Sequence, residues 1–116
     1  MRTTLSNDSL TPEAAKAISS YHSGIVSEVA DAVEKNKVVV VGMVANPFVK
    51  RARKALEASN VPFKYIEVGS YVSKWKERLA IKLWSGWPTY PQVFVNGKLV
   101  GGAVDLEKFI QNGQMA

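Results

Sequence analysis

The sequence predicts an α/β fold built on one small mixed sheet, and three observations carry that expectation. Lys37 to Gly42 (KVVVVG) is β-branched without polar alternation, as in a strand covered on both faces and placed centrally in a sheet. Helix-start signatures stand on either side of it, Thr11-Pro12-Glu13 before and Asn46-Pro47 after. Near the C-terminus, Gln92 to Val95 and Lys98 to Gly101 flank an Asn96-Gly97 pair, the signature of a β-hairpin. The element order is α, β, α, β, α, β, β, α. A right-handed βαβ crossover followed by a hairpin gives a four-stranded mixed sheet flanked by helices, behind an N-terminal helical extension.

The first ten residues are polar and expected to be loose. Ile18, Tyr21, Ile25, Val29 and Val33 then recur at helical spacing, a face expected to pack on the domain. Ser19, Ser20, Ser23 and Gly24 weaken its middle, so one helix or two shorter ones fit. After the central strand, Asn46 caps a helix that Pro47 begins, with Phe48, Ala52, Ala55 and Leu56 inward and Lys50, Arg51, Arg53 and Lys54 outward. Phe63 to Val68 alternates as a half-buried strand. A third helix is expected from Tyr71 to Trp84. Its apolar stripe is Val72, Trp75, Leu79 and Leu83, beside a solvated basic stripe of Lys74, Arg78 and Lys82. Trp75, Trp84 and Trp87 are expected to pack in the core or an interface. The last helix turns Leu106, Phe109 and Ile110 inward.

Composition narrows the chemistry. A chain of 116 residues has room for one domain, and 47% hydrophobic with 22% charged residues is an ordinary globular balance. The absence of cysteine removes disulfides, thiolate metal sites and any cysteine nucleophile. The lone His22 removes a multi-histidine metal site, so no metal ligands are expected. The longest apolar run, Val38 to Ala45, falls far short of the roughly 20 residues of a bilayer span. Met1 to Ser9 has no apolar leader segment, and the expected location is cytoplasmic. The formal charge of +5 suits an anionic partner without naming one.

Together, a strand ending at a helix N-terminus, Thr89-Tyr90-Pro91, the Asn96-Gly97 hairpin and the Gly101-Gly102 turn resemble a glutaredoxin, a thioredoxin-fold protein. The likeness runs from Val26 to the C-terminus, dividing the chain into an extension, 1–25, and a glutaredoxin-like domain, 26–116. It implies a thioredoxin-like sandwich. It breaks at the functional motif. Where glutaredoxins carry Cys-Pro-Tyr-Cys or Cys-Gly-Phe-Ser, this chain reads Asn46-Pro47-Phe48-Val49, so Asn46 and Val49 occupy the cysteine positions. An amide is no thiolate, and thiol–disulfide exchange needs one. Trp87-Pro88 and Arg78 to Lys82 resemble the monothiol branch, whose members hold a [2Fe–2S] cluster through their cysteine and glutathione. That role does not transfer without the thiol. Met43 stands near the usual position of a lysine that contacts glutathione.

The resemblance implies a glutathione cleft formed by the Asn46-Phe48 segment, the backbone of Tyr90 before a cis Pro91, and Gly102, Val104 and Asp105 at the γ-glutamyl end. Arg78 and Lys82 would supply positive charge. Two readings follow. In the first, the chain is a binding module without catalysis, with no covalent cofactor and with glutathione, a glutathionylated protein or another small acid as ligand. In the second, it is an adaptor for an acidic protein, using the Lys50–Lys54 and Lys74–Lys82 surfaces. Nucleic acid is not expected, because the basic helices carry no aromatic ladder. The label of glutathione-dependent oxidoreductase would hold only if Asn46 replaced a cysteine artificially.

Overall fold

In the computed structural model, which describes residues 4–115, the valine run forms the spine of the sheet. Strand β1 (Val38–Gly42) pairs in parallel with β2 (Lys64–Glu67) and antiparallel with β3 (Gln92–Val95), and β3 pairs antiparallel with β4 (Lys98–Gly101). The strand order is β2-β1-β3-β4, a thioredoxin-like sheet with parallel and antiparallel neighbours. Alternation explains the apolar run. Val39 and Val41 face one core with Val29, Ile66, Ile81 and Phe94, while Val38 and Val40 face the other with Leu56, Val93 and Leu106. Each fully buried valine contributes about 1.5–3 kcal/mol of transfer free energy. The hairpin turn places both Asn96 (φ 51°) and Gly97 (φ 80°) in the left-handed region, as a type I′ turn requires.

The helices are α1 (Pro12–Ser20), α2 (Ser23–Lys35), α3 (Pro47–Ala58), α4 (Trp75–Ser85) and α5 (Ala103–Gln111). Thr11 caps α1, its hydroxyl accepting the Ala14 N–H at 3.1 Å. The serine-rich middle does break the first helical segment, with His22 at φ 43° between α1 and α2. Residue 25 lies in the first turns of α2. Helices α2 and α4 pack together over one sheet face, and α3 packs with α5 over the other. Of the polar segment 1–10, residues 1–3 lie outside the described part, and Asn7–Ser9 forms a single 3-10 turn.

Three expectations are corrected. Phe48 is exposed and Val49 takes its place inside, because the first turn of α3 directs Val49 toward the core. Helix α4 begins at Trp75, four residues later than read, because Tyr71 to Ser73 forms a turn in which the Ser73 hydroxyl accepts the Ser70 N–H. The α4 stripe is inverted: Trp75, Leu79 and Leu83 face solvent, while Arg78, Ala80 and Ile81 face the core. Trp75 is therefore not core, and Arg78 is not part of a solvated face.

Candidate functional site

Asn46 ends the β1–α3 connection in an extended conformation. Its Oδ1 accepts the N–H groups of Phe48 at 2.9 Å and Val49 at 3.1 Å. These are two of the donors that a helix start leaves unpaired, so the side chain is first of all a cap.

The Trp87–Pro91 segment forms the opposite wall. Gln92 anchors it from within the sheet, fully buried, with Nε2 donating to the Trp87 carbonyl at 3.0 Å. The Tyr90–Pro91 peptide bond is cis. The Tyr90 side chain is buried, and its hydroxyl donates to the Arg78 carbonyl at 2.5 Å. Burial pushes the phenol well above its ordinary pKa, with nearby Arg78 opposing in part. The Arg78 guanidinium turns inward and donates through Nη1 to the carbonyls of Val68 at 3.0 Å and Ser73 at 2.5 Å. At 7% relative exposure its guanidinium is engaged by the fold, which corrects the reading of Arg78 as part of a solvated face.

The third wall is the start of α5. Gly101 adopts φ 129° at a β-bulge, and a Cβ there would lie 2.7 Å from Asp105 Oδ2. That carboxylate oxygen accepts the Gly102 N–H at 3.0 Å. Gly102 thus brings strand, helix start and carboxylate together.

These walls enclose a cleft of about 580 Å³. Asn46, Phe48, Arg78, Lys82, Tyr90, Pro91, Gly102, Val104 and Asp105 all line it. Val49, the other cysteine-position residue, lies beneath it in the core. Met43, Tyr71, Trp87, Pro88, Thr89 and Ala103 line the cleft as well. Trp87 to Thr89 stood out in the sequence through the resemblance, but nothing there marked Tyr71, which enters through the turn before α4. The lining carries two cations, Arg78 and Lys82, against the single carboxylate of Asp105. Lys82 Nζ lies 5.6 Å from the Tyr90 ring centroid. The indole nitrogen of Trp87 is buried with no hydrogen-bond partner among the described residues.

The cleft does not fit an iron–sulfur cluster, because the chain supplies no thiolate. No group of three or more His, Asp or Glu residues suited to a metal ion occurs among the described residues. No helix among them is long and apolar enough to cross a membrane.

The Lys50–Lys54 surface is less available than its composition suggests. Arg51 forms a two-pronged pair with Glu107, at 2.7 Å from Nε and 2.6 Å from Nη2. These hydrogen bonds raise the Arg51 pKa and lower that of Glu107. The Arg53 guanidinium stacks 4.0 Å from the Tyr65 ring centroid.

A family model described as Glutaredoxin matches residues 38–100. The chain is 49% identical over 98 residues to a glutaredoxin-like protein of Dictyostelium discoideum, covering 84% of this chain and 80% of that one. It is 35% identical over 92 residues to probable monothiol glutaredoxin 2 of Rickettsia typhi, covering 75% and 80%. Among solved structures, oxidized glutaredoxin 2 from Chlamydomonas reinhardtii superposes with a TM-score of 0.70 at 26% identity, over 81% of this chain and 89% of that one. A buckwheat glutaredoxin–glutathione complex, 21% identical with a TM-score of 0.72 over 83% and 87%, shares the fold.

Proposed function

The chain belongs to the glutaredoxin family, and from that premise we propose that it is a non-catalytic member, a binding module whose cleft takes glutathione or the glutathione moiety of a modified protein. The observation that carries this reading is the state of residue 46. The position that resembles the family's nucleophile holds an amide whose oxygen is committed to two α3 N–H groups, while the walls around it are intact. An amide neither ionises to a nucleophile near neutral pH nor forms a disulfide. The cleft can therefore bind without exchanging thiols.

In this reading the N–H groups of Ala103 and Val104 at the start of α5 receive a carboxylate, as helix N-termini do, while the Gly102 N–H stays with Asp105. Asp105 keeps one oxygen for the γ-glutamyl ammonium. The backbone of Tyr90 beside Pro91 aligns the cysteinyl segment, and Asn46 and Phe48 border the thiol end. Lys82 meets the glycyl carboxylate. Arg78, already bonded to two carbonyls, contributes its charge but not a free fork. Residues 1–25 are an extension, 26–116 the binding domain, and the compartment is the cytoplasm.

The test is titration of the isotope-labelled protein with glutathione, followed by amide shifts. A few hydrogen bonds and one open cation correspond to millimolar to high micromolar binding, about 4–6 kcal/mol. Saturable shifts at Tyr90, Gly102 and Asp105 are expected, together with no turnover of a mixed glutathione disulfide. Amides that stay still at saturating concentrations, or turnover above a heat-killed control, would overturn the reading.

A further inference from the structure

We propose that the outward face of α4, with the groove between it and α1–α2, is a docking surface for an acidic amphipathic helix of a partner protein. The residues that the sequence pattern placed inside lie outside. Trp75, Leu79 and Leu83, four residues apart, are 57%, 37% and 63% exposed, and Val72 just ahead of the helix is 92% exposed. At 100° per residue these three helical positions form one stripe, opposite the buried Ile81 and bordered by Lys82 on one side and Lys76 on the other. Lys76 Nζ lies 5.7 Å from the Trp75 ring centroid. Lys74 adds a third cation at the helix start.

The stripe also forms one wall of a groove. Leu79 and Leu83 face Ile18 and Tyr21 across a concavity of about 740 Å³. Helix α1 has no buried residue, and Ile18 is itself 61% exposed. His22 Nδ1 lies 3.7 Å from a Glu77 carboxylate oxygen on the side of α4 away from the stripe, which sets the start of α2 beside α4.

Charge and shape select the occupant. An apolar seam between lysines complements a helix with leucines at i, i+3, i+4 and i+7 and carboxylates on its flanks. A second copy would bring like lysine rows together in a chain of net charge +5. A flat membrane surface does not fill a concavity, whereas the ridge of a helix does. The surface does not depend on the glutathione cleft, although Lys82 borders both.

The probe is a fluorescein-labelled designed peptide with leucines at that spacing and glutamates on both flanks, together with a twin carrying lysines instead. The full chain should raise the anisotropy of the glutamate peptide saturably and bind the lysine twin about tenfold more weakly or less. Leu79→Glu/Leu83→Glu should abolish binding. Lys76→Glu/Lys82→Glu, which leaves every apolar contact in place, should shift preference toward the lysine twin even if the first variant folds poorly. Equal binding of both peptides, or a preference unchanged by the lysine reversal, overturns the proposal. So does α4-dependent self-association in sedimentation, or α4-dependent pelleting with phosphatidylserine vesicles in a chain that ignores both peptides.

Discussion

The Tyr90 hydroxyl donates to the main-chain carbonyl of Arg78 at 2.5 Å, and the Arg78 side chain reaches back to the carbonyls of Val68 and Ser73. One arginine therefore fastens three pieces of chain: the segment after β2, the turn before α4, and the cleft wall at Tyr90. The wall residue is held through its side chain.

The first prediction concerns that phenol. Burial raises its pKa, so the folded state holds the proton more tightly than the unfolded chain, whose tyrosines titrate near about 10. The resulting stability is complete below pH ~10 and is lost as pH rises through the raised value. Melting temperature should therefore fall more steeply above pH ~10 in the native protein than in Tyr90→Phe. Ultraviolet titration should show Tyr90 ionising well above the ordinary tyrosine range. At neutral pH the variant should lose about 1 kcal/mol with its hydrogen bond. Matching alkaline profiles would contradict the assignment.

The second prediction separates support from ligand service at Arg78. Arg78→Met keeps an apolar stem but leaves the carbonyls of Val68 and Ser73 without their donor, and should cost about 2–3 kcal/mol in urea unfolding. Arg78→Lys should recover part of this. A variant of native stability that lost glutathione binding would place the guanidinium in the ligand site instead.

Arg78 also shows where the sequence could be read and where it could not. The sheet was legible because its signals are local: a valine run with no polar face, an Asn-Pro start and an Asn-Gly turn each have one low-energy outcome. The cleft walls were legible through the resemblance, which named segments that the chain brings together. Helix α4 was not legible. Its largest apolar residues point out, and its buried face is made of Ala80, Ile81 and the stem of an arginine whose charge finds carbonyls from an earlier segment. Periodicity assigns the apolar stripe to the core by default, and only the position of Val68 and Ser73 reverses that. Phe48 and Val49 exchanged roles for a similar reason: adjacent apolar residues fit either face until the helix is seated on the sheet.

The third prediction tests the strand-to-helix turn. Gly101→Ala places a methyl group 2.7 Å from Asp105 Oδ2 at φ 129°, so both contact and backbone are strained, by about 1–3 kcal/mol for the backbone alone. Asp105→Ala removes the two carboxylate contacts and the Gly102 cap together, leaving only the Cβ of residue 105 at 2.9 Å. The double variant should thus be more stable than the sum of the two single losses, a coupling visible in a double-mutant cycle. Strict additivity would mean that the carboxylate has moved away from the turn.

The last prediction restores a thiol. In Asn46→Cys, sulfur would replace an amide at the start of a twelve-residue helix, next to the Phe48 and Val49 N–H groups that Asn46 now satisfies. Those donors and the positive end of the helix dipole favour a thiolate over a thiol. The introduced pKa should therefore fall below the ordinary value of about 8.5. Cysteine caps less well than asparagine, so stability should drop by about 1 kcal/mol, leaving a folded protein. The control is Ser59→Cys at the other end of the same helix, exposed and near the negative pole. Glutathione disulfide should modify the first variant faster than the second, because the thiolate fraction is larger and, on the proposed function, the cleft seats the incoming glutathione. Excess γ-glutamylglycine-type competitor, which occupies that seat without a thiol, should narrow the gap without closing it. What then remains is the helix contribution alone. Equal rates at both positions would show that residue 46 lacks a thiolate-stabilising environment, and would remove the ground for reading it as the silenced nucleophile position.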